Sequence, residues 1–424
     1  MTDNLGRTPT DARRDTHVSP LSTIDKLSIV GLLVVCLAAF ALDTLLMRGM
    51  TERLHGNDFG KFYYSARAFL DGGDMYAPSP ATDLRFPEAP ALQFLNMNPP
   101  HFHVLVLPFA ALSLSSAAAL WMAVSGCALV AALILIAREI DLAWTPKRLL
   151  ILVAGTLAFA GTQAFFATGQ LVMLLLLALT LAWLAARRGR WHGAAVWLGV
   201  CLSVKPFLLI FVPYLAATRR FRALLVLLGT AAICYSAGLL VFGIDAYQSW
   251  YRAVAQSGDW TWLVMNASTL GFFRRSFDVQ PIVTPLVVRP EFVKLWVLPA
   301  GMLVAVTLAA AISDKTRGAT DRAFGLLLVA AQLMSPLGWI YYLWLPAGPV
   351  AVLARSPQPP NVRRQNIVFA IIAAVGFCWP IPFLTAFQPH RWATLAIASI
   401  YFWATLALWS WMVLDFWRAR DKPS

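Results

Sequence analysis

Eight apolar runs of spanning length, at roughly 27–47, 115–137, 148–166, 170–186, 221–243, 292–312, 366–384 and 392–414, fill most of this chain together with two longer ones at 191–217 and 323–354. A helix needs about 20 apolar residues to cross the hydrocarbon of a bilayer. Inside that layer each backbone polar group must be satisfied within the protein, which leaves helices as the only fold for such runs. The chain therefore reads as an all-α polytopic membrane protein. Its 59% hydrophobic and 13% charged residues, with a mean hydropathy of +0.65, exclude a soluble domain, where about a quarter of the residues are charged.

The two longest runs must each be divided. Lys205-Pro206 breaks the first and Ser335-Pro336-Leu337-Gly338 the second, because proline removes a backbone donor and clashes with the preceding turn. The resulting halves are short enough to stop before one membrane face. The 424 residues form a cytoplasmic tail (1–26), one transmembrane body (27–417) and a second cytoplasmic tail (418–424). The first run has spanning length and no small-residue cleavage pattern, so it reads as a retained helix and not a signal peptide.

Sidedness follows from the basic clusters. If Pro99–Leu112, too short for a confident span, lies in the interface, the N-tail, Arg138 to Arg148, Arg187-Arg188-Gly189-Arg190, Arg219 to Arg222, Lys315 to Arg322, Arg355 to Arg364 and the C-tail all fall on one side. The positive-inside bias then predicts about 12 transmembrane helices, both termini cytoplasmic, in an inner or plasma membrane. Two large loops, 48–114 with interfacial helices and 244–291, remain on the outer face. The net charge of +13 is distributed over these short clusters, which excludes nucleic acid as a partner. The five cysteines sit singly in apolar runs and read as small core residues.

The candidate chemistry lies in the outer segments. Asp58 and Lys61 are spaced i, i+3 near the start of a helix over 61–70, at the membrane face, with Tyr63, Tyr64 and Arg67 following. Two readings fit: a helix cap beside a solvated lysine, or a carboxylate placed to take a proton from a hydroxyl. His101 and His103 follow Asn98-Pro99-Pro100, and their i, i+2 spacing suits headgroup or carboxylate contacts better than a shared metal. Gln170 after Gly169 offers an amide to a sugar or to neighbouring backbone. Lys205, between two short apolar halves, either snorkels or meets an anion. Asn266-Ala267-Ser268 with Arg274-Arg275, and Trp339, Tyr341 and Tyr342, complete the outer set: phosphate contacts or loop closure for the arginines, sugar stacking or an interfacial belt for the aromatics. No P-loop, GxGxxG, GxSxG or DxD-type motif occurs, so nucleotide-dependent chemistry is disfavoured.

Taken in order, Asp58 to Tyr64, Asp71-Gly72-Gly73-Asp74-Met75-Tyr76, Asn98-Pro99-Pro100 to Pro108, Gly169-Gln170, Lys205-Pro206, Asn266-Ala267-Ser268 and Ser335-Pro336 to Tyr342 resemble the GT-C membrane glycosyltransferases, and within them glycosyltransferase family 87 (DUF2029). The resemblance covers about residues 30 to 345. It implies a GT-C fold and transfer of mannose, or of a related sugar such as arabinofuranose, from a polyprenyl-phosphate sugar donor to a lipid or glycan acceptor outside the cytoplasm, with no cofactor or metal. Asp58 matches the acidic first-loop residue that serves as base. Lys205 matches the family's Lys-Pro, a donor-phosphate contact, with Arg274 and Arg275 as further phosphate ligands. Lys61, Tyr64, His101, Gln170, Asn266 and Trp339 are then expected to line the sugar and acceptor sites. His101 departs from the family, where an apolar residue usually follows Pro-Pro. The competing reading is a flippase or transporter of lipid-linked sugars, whose ionisable groups would lie at a midplane cavity between related halves; no two-fold repeat is visible.

Overall fold

The computed structural model describes residues 58–84, 92–256, 260–316, 318–355 and 360–420, with positions 34, 37, 38 and 41. The expected span 27–47 lies almost wholly outside the described residues, as do the tail 1–26 and residues 421–424. Apart from a small antiparallel hairpin pairing Asp83–Leu84 with Leu92–Gln93, the regular structure described is helical, as expected of an all-α membrane protein.

Four helical stretches are long and apolar enough to cross a bilayer: Leu114–Glu139, Phe221–Gln256, Pro290–Ser313 and Arg391–Ala419. Pro146–Ala158 and Ala160–Thr168, bent by 60° at their junction, make a fifth if taken together. The expected count of about twelve is not reached by this measure among the described residues, because several apolar runs fold as helices of 10–17 residues. Pro206 and the Ser335-Pro336 turn account for two of the divisions. Residues 99–112 form only the 3₁₀ helix Pro100–Val104 and the four-residue helix Leu107–Ala110, too short to cross. Phe221–Gln256 is broken at Gly243, the expected start of the second outer loop.

Lipid is as apolar as leucine, so packing, and not the hydrophobic effect, holds such helices together, and small residues let backbones approach. Alanines 178, 182, 186, 194 and 195 are buried on Val172–Arg187 and Trp191–Val204, two helices that pack on one another. Trp191–Val204 also runs along Phe221–Gln256, and there a Cβ on Gly199 would stand 2.6 Å from the Leu227 carbonyl oxygen. Among the cysteines, Cys201 is the buried core residue expected, whereas Cys127 and Cys378 are exposed on the outside of the bundle, a correction that follows from lipid being an acceptable environment for a thiol.

Three helices give the molecule two chemically distinct ends. Val172–Arg187, Trp191–Val204 and Ala319–Met334 hold 16, 14 and 16 residues and span about 21–24 Å, less than the ~30 Å hydrocarbon thickness. At one end Glu139 receives Arg188 at 2.6 Å and Arg187 at 3.2 Å, Arg187 also reaches Asp321 at 3.3 Å, and the Trp183 indole donates to Asp321 at 2.8 Å. Arg322 pairs there with Asp314 at 2.6 Å and Asp415 at 3.7 Å, and Arg355 donates to the Asp141 carbonyl. The opposite ends of the same three helices carry Gln170, Lys205 and Ser335. Basic groups expected on one side thus gather at one end, and the candidate chemistry gathers at the other.

Arg322, Asp314 and Asp415 are all buried, so Arg322→Ala removes a guanidinium that pairs with two buried carboxylates. It is expected to destabilise the protein by about 3–5 kcal/mol, read as a lowered thermal unfolding midpoint in detergent.

Candidate active site

Helix Asp58–Leu70 is enclosed over its first turn: Asp58, Phe59, Gly60, Lys61, Phe62 and Tyr63 are all buried. Aromatic contacts hold it, with Phe59 stacked on Trp121 at 5.4 Å between ring centroids and Phe62 edge-on to Phe102 at 4.9 Å. The Asp58 carboxylate is consequently out of bulk water and must be satisfied by protein donors. Lys61 Nζ lies 2.5 Å from Oδ1, and the Gln170 amide donates to Oδ2 at 2.6 Å. Burial pushes the Lys61 ammonium below its ordinary value, while the Asp58 charge pulls it back up.

Gln170 reaches Asp58 because of Gly169. That residue ends helix Ala160–Thr168 in the left-handed conformation (φ 68°), and a Cβ there would sit 2.7 Å from the Phe59 Cβ. Its carbonyl accepts the Trp121 indole N–H at 2.8 Å. Trp121 thus packs under the Asp58 helix and anchors the Gln170 turn at once.

Asp58, Lys61 and Gln170 face a cavity of about 490 Å³, lined also by Phe94, Asn98, Ser203, Lys205, Trp250, Trp339 and Tyr342 among mostly apolar neighbours. Lys205 closes helix Trp191–Val204, and its ammonium donates to Asn98 Oδ1 at 2.9 Å with the Tyr342 ring 5.9 Å away. Asn98 is held in turn. Its backbone N–H and side-chain amide donate to Asn96 Oδ1, and its carbonyl accepts the Tyr76 hydroxyl at 2.7 Å. The Asn96 amide donates to Ser65 Oγ at 2.8 Å and to His103 Nε2 at 2.7 Å. His103 must therefore carry its proton on Nδ1, which donates to the Pro99 carbonyl at 3.2 Å.

Of the expected site residues, the structure brings Asp58, Lys61, Gln170, Lys205 and Trp339 to one cavity. Gln170 is spaced from Asp58 by a direct hydrogen bond, so its amide is engaged with the carboxylate. His101 is not on the cavity wall: it bridges the Ser203 carbonyl at 3.0 Å and the Tyr247 hydroxyl at 3.2 Å, a support for the backbone just before Lys205. Tyr64 is half-buried edge-on to Tyr63, away from the cavity.

Grouping Arg274 and Arg275 with Lys205 is corrected by the packing. Arg275 is fully buried and donates to the carbonyls of Trp262, Leu263 and Asn266 and to Ser399 Oγ, and Arg274 pairs with Asp278. Neither lines the cavity. Asn266 is likewise turned inward: it donates to the Thr261 and Pro336 carbonyls and accepts from Ser268 and Gly338, tying the second outer loop to the turn that carries Ser335, Pro336 and Trp339. The residues that went unnoticed as site groups are Phe94, whose ring lies 3.3 Å from Lys61 Nζ, and the amides Asn96 and Asn98. Two asparagines alternating with apolar residues before Pro99-Pro100 are the signal that was present.

With this geometry in place, comparison with known families matches residues 96–336 to glycosyltransferase family 87. The chain belongs to glycosyltransferase family 87. It is therefore a glycosyltransferase, as its ordered motifs implied, and a multi-pass membrane protein. The matched range begins after Asp58, so the family match does not reach that residue. A family-87 chain of this kind is similar to a polyprenol-phosphate-mannose-dependent alpha-(1-2)-phosphatidylinositol mannoside mannosyltransferase of Mycobacterium tuberculosis, 24% identical over 403 residues and covering 89% of each chain. The crystal structure of ArnT from Cupriavidus metallidurans bound to undecaprenyl phosphate aligns over 92% of this chain and 78% of its own at 16% identity, but its TM-score of 0.31 is too low to bear on the fold or the site.

Two outcomes follow from this family-87 site. Gly169→Ala must adopt a left-handed backbone and displace Phe59, and is expected to lower stability by about 1–3 kcal/mol in thermal unfolding. Burial pushes the His103 imidazole down from 6.5 to about 4. Between those values the unfolded chain binds the proton and the folded one does not, so stability present above pH 6.5 is lost as pH falls toward 4. His101, pushed down to about 4 by the same kind of burial, acts over the same range, so His103→Gln is expected to reduce the slope there without abolishing it; an unchanged slope would contradict the assignment.

Proposed function

We propose that this glycosyltransferase moves a hexosyl group, mannosyl in the first instance, from a polyprenyl-phosphate sugar to a lipid or glycan hydroxyl on the outer face of the membrane, with Asp58 as the base. The observation that carries this reading is the joint presence, in one largely apolar cavity, of a buried carboxylate and two lysines. A volume of about 490 Å³ falls within the range of small-molecule sites and accommodates a sugar phosphate beside an acceptor hydroxyl. The mycobacterial relative's donor class supports the choice of polyprenol phosphate.

The chemistry is modest in its demands. The acceptor oxygen forms a bond to the anomeric carbon as the bond from that carbon to the phosphate oxygen breaks, and the hydroxyl proton passes to Asp58. Phosphate is a good leaving group and needs a fixed cation more than an acid, and Lys205, held by Asn98, supplies one. Lys61 and Gln170 hold the carboxylate in place, each engaging one oxygen and leaving further lone-pair directions for the incoming proton. Trp339, Phe94 and Tyr342 place aromatic side chains on the cavity wall against which a sugar can pack. The basic end of the bundle, by the positive-inside bias, faces the cytoplasm and leaves the cavity outside.

The test is turnover of purified protein with polyprenyl-phosphate-mannose and mixed lipid acceptors. Asp58→Asn is expected to lower kcat by at least about 100-fold, the lower range for a positioned base, with donor binding retained. Lys205→Ala is expected to raise the donor KM more than the acceptor KM. Equal turnover with Asp58→Asn removes it as the base. Turnover with a polyprenyl-phosphate pentofuranose and none with mannose replaces the sugar, and lipid-linked sugar translocation without transfer replaces the reaction.

A further inference from the structure

The two lysines of the cavity have different partners. Lys205 donates to a neutral amide oxygen at 2.9 Å, whereas Lys61 sits 2.5 Å from the Asp58 carboxylate with the Phe94 ring on another side. Lys61 is buried and Lys205 half-buried, and both border the same cavity as Asp58. With Asp58 ionised and both lysines charged, the three groups carry one net positive charge. A polyprenyl-phosphate sugar is a phosphodiester with one negative charge, so the bound donor brings the site to neutrality. This inference rests on the reading of function above.

During transfer that balance is kept while its location changes. The acceptor O–H proton goes to Asp58, which becomes neutral. The electron pair of the broken bond to the anomeric carbon stays on the phosphate oxygen, which turns the diester into a monoester with a second negative charge. Lys61 then has no anion beside it, and a buried ammonium left without a partner is strongly disfavoured. We propose that Lys61 is a charge-switching contact to the leaving phosphate: paired with Asp58 in the resting site, it is released when Asp58 takes the proton and joins Lys205 on the polyprenyl monophosphate. Lys61 thus moves from the acceptor-binding role expected of it to the leaving-group side of the reaction.

Asp58→Asn reproduces the neutral side chain of the product state, so binding can be read without turnover. The measurement is the affinity for a polyprenyl monophosphate in detergent micelles across wild type, Lys61→Gln, Asp58→Asn and the double variant. Lys61→Gln is expected to weaken binding less than about threefold with Asp58 present and about tenfold or more in the Asp58→Asn background. Equal effects in the two backgrounds would show that Lys61 acts only through the general field or the fold, and would overturn the proposal. Should Lys61→Gln fail to fold, Lys61→Met within Asp58→Asn, where no carboxylate is left to pair, gives a second reading. The ratio of monophosphate to phosphosugar affinity is then expected to fall about tenfold, and an unchanged ratio overturns the switch. Wild-type protein that binds neither polyprenyl species would overturn the reading of function itself, whereas wild-type binding with additive effects overturns only the switch.

Discussion

A carboxylate enclosed by helices in an apolar protein has to be met by donors from that protein, and Asp58 is met from two places in the chain: Lys61 one turn along its own helix, and Gln170 more than a hundred residues away. Much of the local architecture serves that meeting. The left-handed turn at Gly169 turns Gln170 toward the carboxylate, Trp121 anchors the turn and packs beneath the Asp58 helix, and Phe62 and Phe102 close the side. An unsatisfied buried charge would cost more than any one of these contacts contributes, so they act together or not at all.

The cavity exists because helices stop early. Val172–Arg187, Trp191–Val204 and Ala319–Met334 each have one end at the ion pairs of Glu139, Arg187, Asp321 and Arg322 and the other about 21–24 Å away at Gln170, Lys205 and Ser335. Helix ends that fall short of a bilayer face leave a recess, and the polar groups it exposes need partners that a full-length helix would have supplied. The Asn96–Asn98 network provides them on one wall, and Asn266 and Arg275 provide them behind another. Ionisable side chains at the recess are held by the protein while still bordering apolar space.

The sequence announced the class of fold through its apolar runs, and the breaks at Lys205-Pro206 and Ser335-Pro336 marked where the cavity would open. The Asp58–Lys61 pair was readable because i, i+3 spacing on a helix is local geometry. Gln170 was readable as a polar residue at a helix start, but its partner was not, since a contact across 112 positions leaves no local pattern. Arg274 and Arg275 misled for a physical reason: a guanidinium that ties loop carbonyls together and one that binds phosphate present the same residue in the same kind of loop. Asn96 and Asn98 were overlooked because short amides carry no charge to draw attention, although they hold Lys205 in place.

The proposed reaction turns on the activated sugar lying between Lys205 and Asp58. A cryo-EM structure of the Asp58→Asn protein with a bound polyprenyl-phosphate sugar tests it directly. The account expects the phosphate within hydrogen-bonding reach of Lys205 Nζ and the anomeric carbon turned toward residue 58. A phosphate bound at the Glu139–Arg187 end of the bundle, or a sugar lying outside the cavity, would contradict it.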